Sequence, residues 1–114
     1  SALTESDYHD VSTHTMESLL DYLEEFGEST SLPGFDVEYS SGVLTLELGE
    51  HGTYVINKQP PNKQIWLSSP LSGPKRFDYD TTEGKWFYSR DQTTLDGLLN
   101  QELSAVFNQA ITIL

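Results

Sequence analysis

"FDVEYSSGVLTLEL", residues 35–48, alternates apolar and polar side chains on either side of a Ser-Ser-Gly turn. Phe35, Val37 and Tyr39 interleave with Asp36 and Glu38; Leu44, Leu46 and Leu48 interleave with Thr45 and Glu47. Successive side chains of a strand point to opposite faces, so period two marks a strand with one dry and one wet face. The stretch reads as an antiparallel hairpin. That decides the fold, because a one-sided sheet needs an apolar layer over its dry face and leaves the other face to solvent.

The neighbouring segments supply that layer. Upstream, Tyr8, Val11, Thr15, Leu19, Tyr22, Leu23 and Phe26 recur at steps of three and four, predicting a helix over 5–27. Ser6 is its expected N-cap, with acids in the first turn, and Gly27 followed by Pro33-Gly34 is its expected stop. Downstream, strands are predicted at about 52–58, 63–68, 75–79 and 84–89, punctuated by Gly52, Pro60-Pro61, Pro70, Gly73-Pro74 and Gly84. A second helix is predicted over 93–111, capped by Thr93 or Thr94, with Leu95, Leu98, Leu99, Leu103, Val106 and Ala110 as its apolar stripe. The final "ITIL" is apolar and is expected to pack rather than hang free. The order helix, strands, helix predicts an α+β fold: an α-β sandwich with two helices on one face of an antiparallel sheet.

With 114 residues the chain is expected to be a single domain over 1–114. A hydrophobic fraction of 36% is modest, but 11% aromatics point to a folded chain. The lack of cysteine excludes disulfides, thiolate metal sites and cysteine nucleophiles. No apolar run approaches a membrane span, no signal or transit peptide is visible, and the opening "SALTESD" reads as a mature end. The charge is uneven. Residues 1–50 hold 12 of the 18 acids and no lysine or arginine, and all six bases lie beyond them. Such an acidic half repels nucleic acid and anionic membrane and attracts metal ions or basic protein surfaces.

Period two also assigns faces within "NKQPPNKQIW", residues 57–66. Tyr54 and Ile56 share one face with Ile65 and Leu67; Asn57, Gln59, Gln64 and Trp66 share the other. The loop from Pro60 to Lys63 makes a hairpin of the two strands, so these polar residues and the tryptophan become neighbours on the open face. Two readings fit. Trp66 is a binding anchor framed by amides on rigid strands, or it is an exposed aromatic that packs on its strand neighbours.

On the first helix Asp10, His14, Glu17, Asp21, Glu24, Glu25 and Glu28 form one stripe opposite the apolar one, and Asp36, Glu38 and Glu47 add carboxylates on nearby strands. No lysine stands four positions away to pair them. Carboxylates with an interleaved imidazole suit divalent iron, manganese or calcium in weak, solvated sites; the stripe suits a basic partner equally well. Catalytic motifs are missing: no GxSxG, P-loop, HExxH or CxxC, and His9, His14 and His51 lack a triad context and read as surface histidines.

"GTYVINKQPPNKQIWLSSPLSGPKRFD" (52–78), "YHDVSTHTMESLLDYLEEF" (8–26), "VEYSSGVLTLELG" (37–49), "GKWFYS" (84–89) and the final helix together resemble the frataxin family. The resemblance covers all but the first few residues and the tail. It implies an α-β sandwich, a mitochondrial matrix location after loss of a presequence, and a role in iron–sulfur cluster assembly. It implies binding to the complex of cysteine desulfurase and scaffold protein with faster sulfur transfer, and weak iron binding. Iron delivery, ferroxidase activity and iron storage are also ascribed to the family. Carried over by position, partner-binding residues fall on Asn57, Gln59, Asn62, Gln64, Trp66 and Arg76. The family's acidic ridge falls on Asp10, Glu17, Asp21, Glu24 and Glu25 with Asp36 and Glu38, and His9 matches a histidine of some members. Thr13 and His14 stand where other members often carry acids, and Arg90 replaces a histidine of some relatives. A monomer is expected. The leading functional expectation is an activator of cluster assembly; the alternative is an iron carrier or ferroxidase working through the acidic helix.

Overall fold

The computed structural model describes residues 3–114. Helix α1 (Glu5–Ser29) is followed by strands β1 (Phe35–Ser40), β2 (Val43–Leu48), β3 (Thr53–Gln59), β4 (Gln64–Ser69), β5 (Gly73–Asp80) and β6 (Lys85–Tyr88), then helix α2 (Leu95–Phe107). The strands form one antiparallel sheet in chain order. The opening hairpin has the predicted register, with Val37 opposite Leu46 and Tyr39 opposite Leu44. Both helices lie on one face. Met16, Leu19 and Leu23 of α1 and Leu95, Leu99 and Leu103 of α2 are buried with Leu44, Leu46, Tyr54, Ile56, Ile65, Leu67 and Phe77 of the sheet. Each such side chain removed from water contributes about 1.5–3 kcal/mol, so this layer is the main force holding helices to sheet.

Polar ties set how α1 lies on the sheet. The Tyr8 hydroxyl donates to the Gln64 carbonyl at 2.8 Å, and the buried Trp86 indole donates to Thr15 Oγ1 at 2.9 Å. The two lysines of the 57–66 stretch serve the same end. Lys58 reaches Thr13 Oγ1 at 2.9 Å and Lys63 reaches the Leu3 carbonyl at 2.8 Å. Lys58 shares the period-two face of Tyr54 and Ile56, which is why it points at the helix and not outward.

Three helix boundaries differ from expectation. Thr4, not Ser6, caps α1, its Oγ1 accepting from the Asp7 amide at 3.0 Å. Gly27 does not stop the helix but sits within it, where a β-carbon would lie 2.5 Å from the Phe35 ring. Glycine is there for close packing, and α1 ends two residues later with Thr30 extended. α2 ends at Phe107 because Asn108 turns left-handed (φ 53°), so Ala110 lies beyond the helix and is exposed. The apolar pattern ran on because the tail packs separately. Ile111 and Ile113 are buried, and their amides donate to Ser104 Oγ at 2.9 Å and Asn100 Oδ1 at 2.6 Å.

Candidate functional site

Pairing in the sheet brings the sequence-predicted face together. Asn57 on β3 stands opposite Trp66 on β4, and Trp66 stands opposite Arg76 on β5. One step along, Gln59 faces Gln64 and Gln64 faces Asp78. The alternating burial of β3 and β4 puts Tyr54, Ile56, Ile65 and Leu67 under the helices and leaves the amides and Trp66 on the open side. Asn62 is set apart, exposed in the 3-10 turn Pro60–Asn62. Lys63 then takes a left-handed conformation (φ 53°), and its backbone N–H donates to the Pro60 carbonyl at 3.1 Å to close the turn.

Trp66 is held on both sides. Its indole N–H donates to Gln64 Oε1 at 2.8 Å, and the Gln64 amide donates in turn to Asp78 Oδ1 at 3.1 Å. The Arg76 guanidinium lies over the ring, 4.6 Å from a ring centroid. A cation stacked on tryptophan is attracted by the ring's negative face, and the contact restrains both side chains. An open hollow of about 880 Å³ surrounds this row, lined among others by Asn57, Gln64, Trp66, Arg76 and Arg90. The face is therefore pre-ordered: a flat aromatic, amide donors and acceptors, and a fixed guanidinium, all on strands. Such a surface loses little entropy on docking.

The acidic residues are arranged differently. His9, Asp10, His14, Glu17, Asp21, Glu24 and Glu25 are all exposed along α1. The span from Asp10 to Glu28 is about 27 Å at about 1.5 Å rise per residue. Asp36 and Glu38 are exposed on edge strand β1, and Asp36 faces Glu47 across the pair. Burial, then the charge of Glu17, push the Tyr39 phenol above its ordinary value. Among the described residues no three His, Asp or Glu side chains converge enough to hold a metal ion. These carboxylates and two imidazoles are spread along a convex surface and form no closed cage.

Residues 1–109 match the model of the frataxin-like domain. The chain belongs to the frataxin family. It is 44% identical over 113 residues to mitochondrial frataxin of Arabidopsis thaliana, covering 99% of this chain and 60% of that protein. It is 48% identical over 110 residues to the mitochondrial frataxin homolog of Schizosaccharomyces pombe, covering 96% of this chain and 70% of that protein. It thus spans little more than half to about two thirds of these relatives' length. A bacterial relative from Thioalkalivibrio sulfidiphilus, the iron-sulfur cluster assembly protein CyaY, is 38% identical over 99 residues, covering 87% of this chain and 89% of that protein. Among solved structures, trimeric frataxin from Saccharomyces cerevisiae, complexed with ferrous iron, superposes with a TM-score of 0.78 at 48% identity over 87% of each chain.

Sequence reasoning missed one polar centre of this family member. The Glu102 carboxylate of α2 accepts from the hydroxyls of Tyr54 (2.6 Å), Ser69 (2.7 Å) and Ser72 (2.6 Å), and Ser69 Oγ accepts from the amides of Leu71 and Ser72. Burial pushes the Glu102 carboxyl up, but the three hydroxyls and Lys75 outweigh it and hold it below its ordinary value. Tyr54 is pushed far up by burial and by that same carboxylate. No local pattern announces this cluster, because its members are 30 to 48 residues from Glu102 and lie outside its helix.

Proposed function

We propose that this chain serves iron–sulfur cluster assembly in the mitochondrial matrix. It docks its open sheet face on the complex of cysteine desulfurase and scaffold protein and accelerates sulfur transfer to the scaffold. The observation that carries the reading is Trp66, held between the Gln64 side-chain oxygen Oε1 and the Arg76 guanidinium on the uncovered face. A half-buried tryptophan restrained on both sides on the uncovered face is well explained as an anchor. The relatives' names, mitochondrial frataxin and iron-sulfur cluster assembly protein, support the compartment and the process. Asn57, Gln59, Asn62 and Gln64 would supply hydrogen bonds around the anchor, and Arg76 a charge-assisted one. The chain acts here by binding, with a single copy as the docking unit.

The test is affinity for the desulfurase–scaffold complex with iron chelated throughout. Trp66→Ala is expected to weaken binding by about 2 kcal/mol or more while leaving the melting temperature within a few degrees. Unchanged affinity sinks the assignment.

The unpaired acids of α1, and the yeast relative complexed with ferrous iron, favour a second role in carrying iron along the helix. Iron is cargo in that reading, held loosely by Asp10, Glu17, Asp21, Glu24 and Glu25, with His9, His14, Asp36 and Glu38 within the same acidic region. Asp10→Asn, Glu17→Gln and Asp21→Asn together should lower ferrous iron binding in titration calorimetry. They should also raise stability by a few tenths of a kcal/mol each through lost like-charge repulsion. Cluster assembly at the native rate in that triple variant would remove iron carriage from the mechanism.

A further inference from the structure

Six bases serve a chain of net charge −12, and they are not used alike. Lys58 and Lys63 bind α1 and its leading residues, Lys85 pairs with Asp96 at 2.7 Å, and Lys75 donates to the Ser72 carbonyl at 3.0 Å. Arg76 and Arg90 remain. Among the described residues neither guanidinium has a hydrogen-bond or ion-pair partner, and both line the hollow beside Trp66. The carboxylates closest to them in the chain are already engaged: Asp78 accepts from the Gln64 amide and Asp91 from the Thr93 backbone N–H. In a protein with three acids for every base, these are two forks with no carboxylate bonded to them, although Asp78 lines the same hollow.

We infer that Arg90 joins Arg76 to receive a carboxylate-bearing segment of the docking partner, so that Arg90 is a specificity-determining residue of the sheet face. The inference rests on the docking role proposed above and adds the chemistry of what docks there. A guanidinium fork matches a carboxylate in a bidentate plane, and Arg76 is already oriented by Trp66. Of the open-face acids, Asp36, Glu38 and Glu47 lie on β1 and β2 at the other edge of the sheet, while Asp78 shares the hollow and accepts from the Gln64 amide. Four strand spacings separate β1 from β5, about 19 Å, which exceeds the screening length of about 8 Å at physiological salt. The face therefore carries an acidic edge and an arginine edge that act independently, with Trp66 nearer the arginine edge. A partner that offers a base to the first and an acid to the second can dock in one orientation only. A polyanion such as nucleic acid would bring many charges against a surface that is negative elsewhere; a single acidic protein segment would not.

The test measures affinity of the full chain for the desulfurase–scaffold complex, iron chelated, at low and physiological salt. Arg90→Gln, Arg90→Lys and Arg90→Glu are compared with the native chain and Trp66→Ala. Arg90 is exposed, so these variants should melt with the native chain. The inference expects Arg90→Gln to bind about tenfold more weakly and Arg90→Glu at least about tenfold more weakly again. Arg90→Lys should fall between native and Gln, and the salt dependence should flatten in Arg90→Gln. Native affinity and salt dependence in all three, with binding still lost in Trp66→Ala, would overturn the role of Arg90 and leave the docking face standing. Native affinity in Trp66→Ala as well would overturn both.

Discussion

At the scale of single residues, Glu102 and Trp66 are opposites. Trp66 meets solvent and is restrained by two side chains, whereas Glu102 is a carboxylate drawn into the body to receive three hydroxyls. Tyr54 is fully buried, so removing its acceptor strands a hydroxyl that water cannot reach. Glu102→Ala is therefore expected to destabilise the protein by about 1–3 kcal/mol in urea unfolding, mostly through that orphaned group. Tyr54→Phe made together with it should recover part of the loss, since neither partner is then left unpaired. Trp66 was legible in the sequence because strand period assigns a face without knowledge of neighbours. Glu102 was not: a glutamate on an amphipathic helix carries no mark of whether hydroxyls wait across the interface.

At the scale of elements, the strands and the two amphipathic helices follow from local pattern, and the misplaced boundaries follow from packing. Gly27 is the clearest case. Read alone, a glycine near the end of an apolar periodicity is a stop signal. In the fold it admits the edge of Phe35, whose ring is also packed against Phe26 and Phe107 at 6.2 and 6.1 Å between centroids. In an open helix Gly27→Ala would stabilise by about 1 kcal/mol. Here the added methyl meets a ring hemmed in by two others, and overpacking of about 1–3 kcal/mol outweighs the propensity gain. A lower melting temperature for Gly27→Ala is the expected result; a higher one would mean that Phe35 moves freely. The tail shows the same division. Its apolar content foretold that "ITIL" packs, but the left-handed turn at Asn108 that separates it from α2 was hidden by the continuing hydrophobic pattern.

At the scale of the molecule, two half-buried carboxylates couple stability to pH. In Asp96 burial works upward but is outweighed by hydrogen bonds from Lys85 and Thr94, and in Glu102 by the hydroxyls of Ser72, Tyr54 and Ser69; both are held below the ordinary carboxylate range. Below about pH 4, where unfolded carboxyls take up protons, the unfolded state binds more protons than the native one, so stability falls as pH falls. Their contribution is complete above the unfolded value and disappears as pH drops through the lowered folded values. Urea midpoints measured from pH 6 to pH 3 should decline in the native chain. The decline should be shallower in Glu102→Gln, which has no proton to gain at that site.

Sequence by itself determined the alternation, and with it the α+β class, the helix-covered face, the open face bearing Asn57, Gln59, Gln64 and Trp66, and the acidic stripe of α1. These are properties of one segment at a time, set by the geometry of strand and helix. Only the tertiary structure decided that Arg76 stacks on Trp66, that Arg90 opens into the same hollow, that Glu102 gathers Tyr54, Ser69 and Ser72, and that the acids of α1 stay dispersed. Each of those depends on register, side-chain direction and closeness between distant segments. Period assigns a side chain to a face, but only packing sets the distance to its partner.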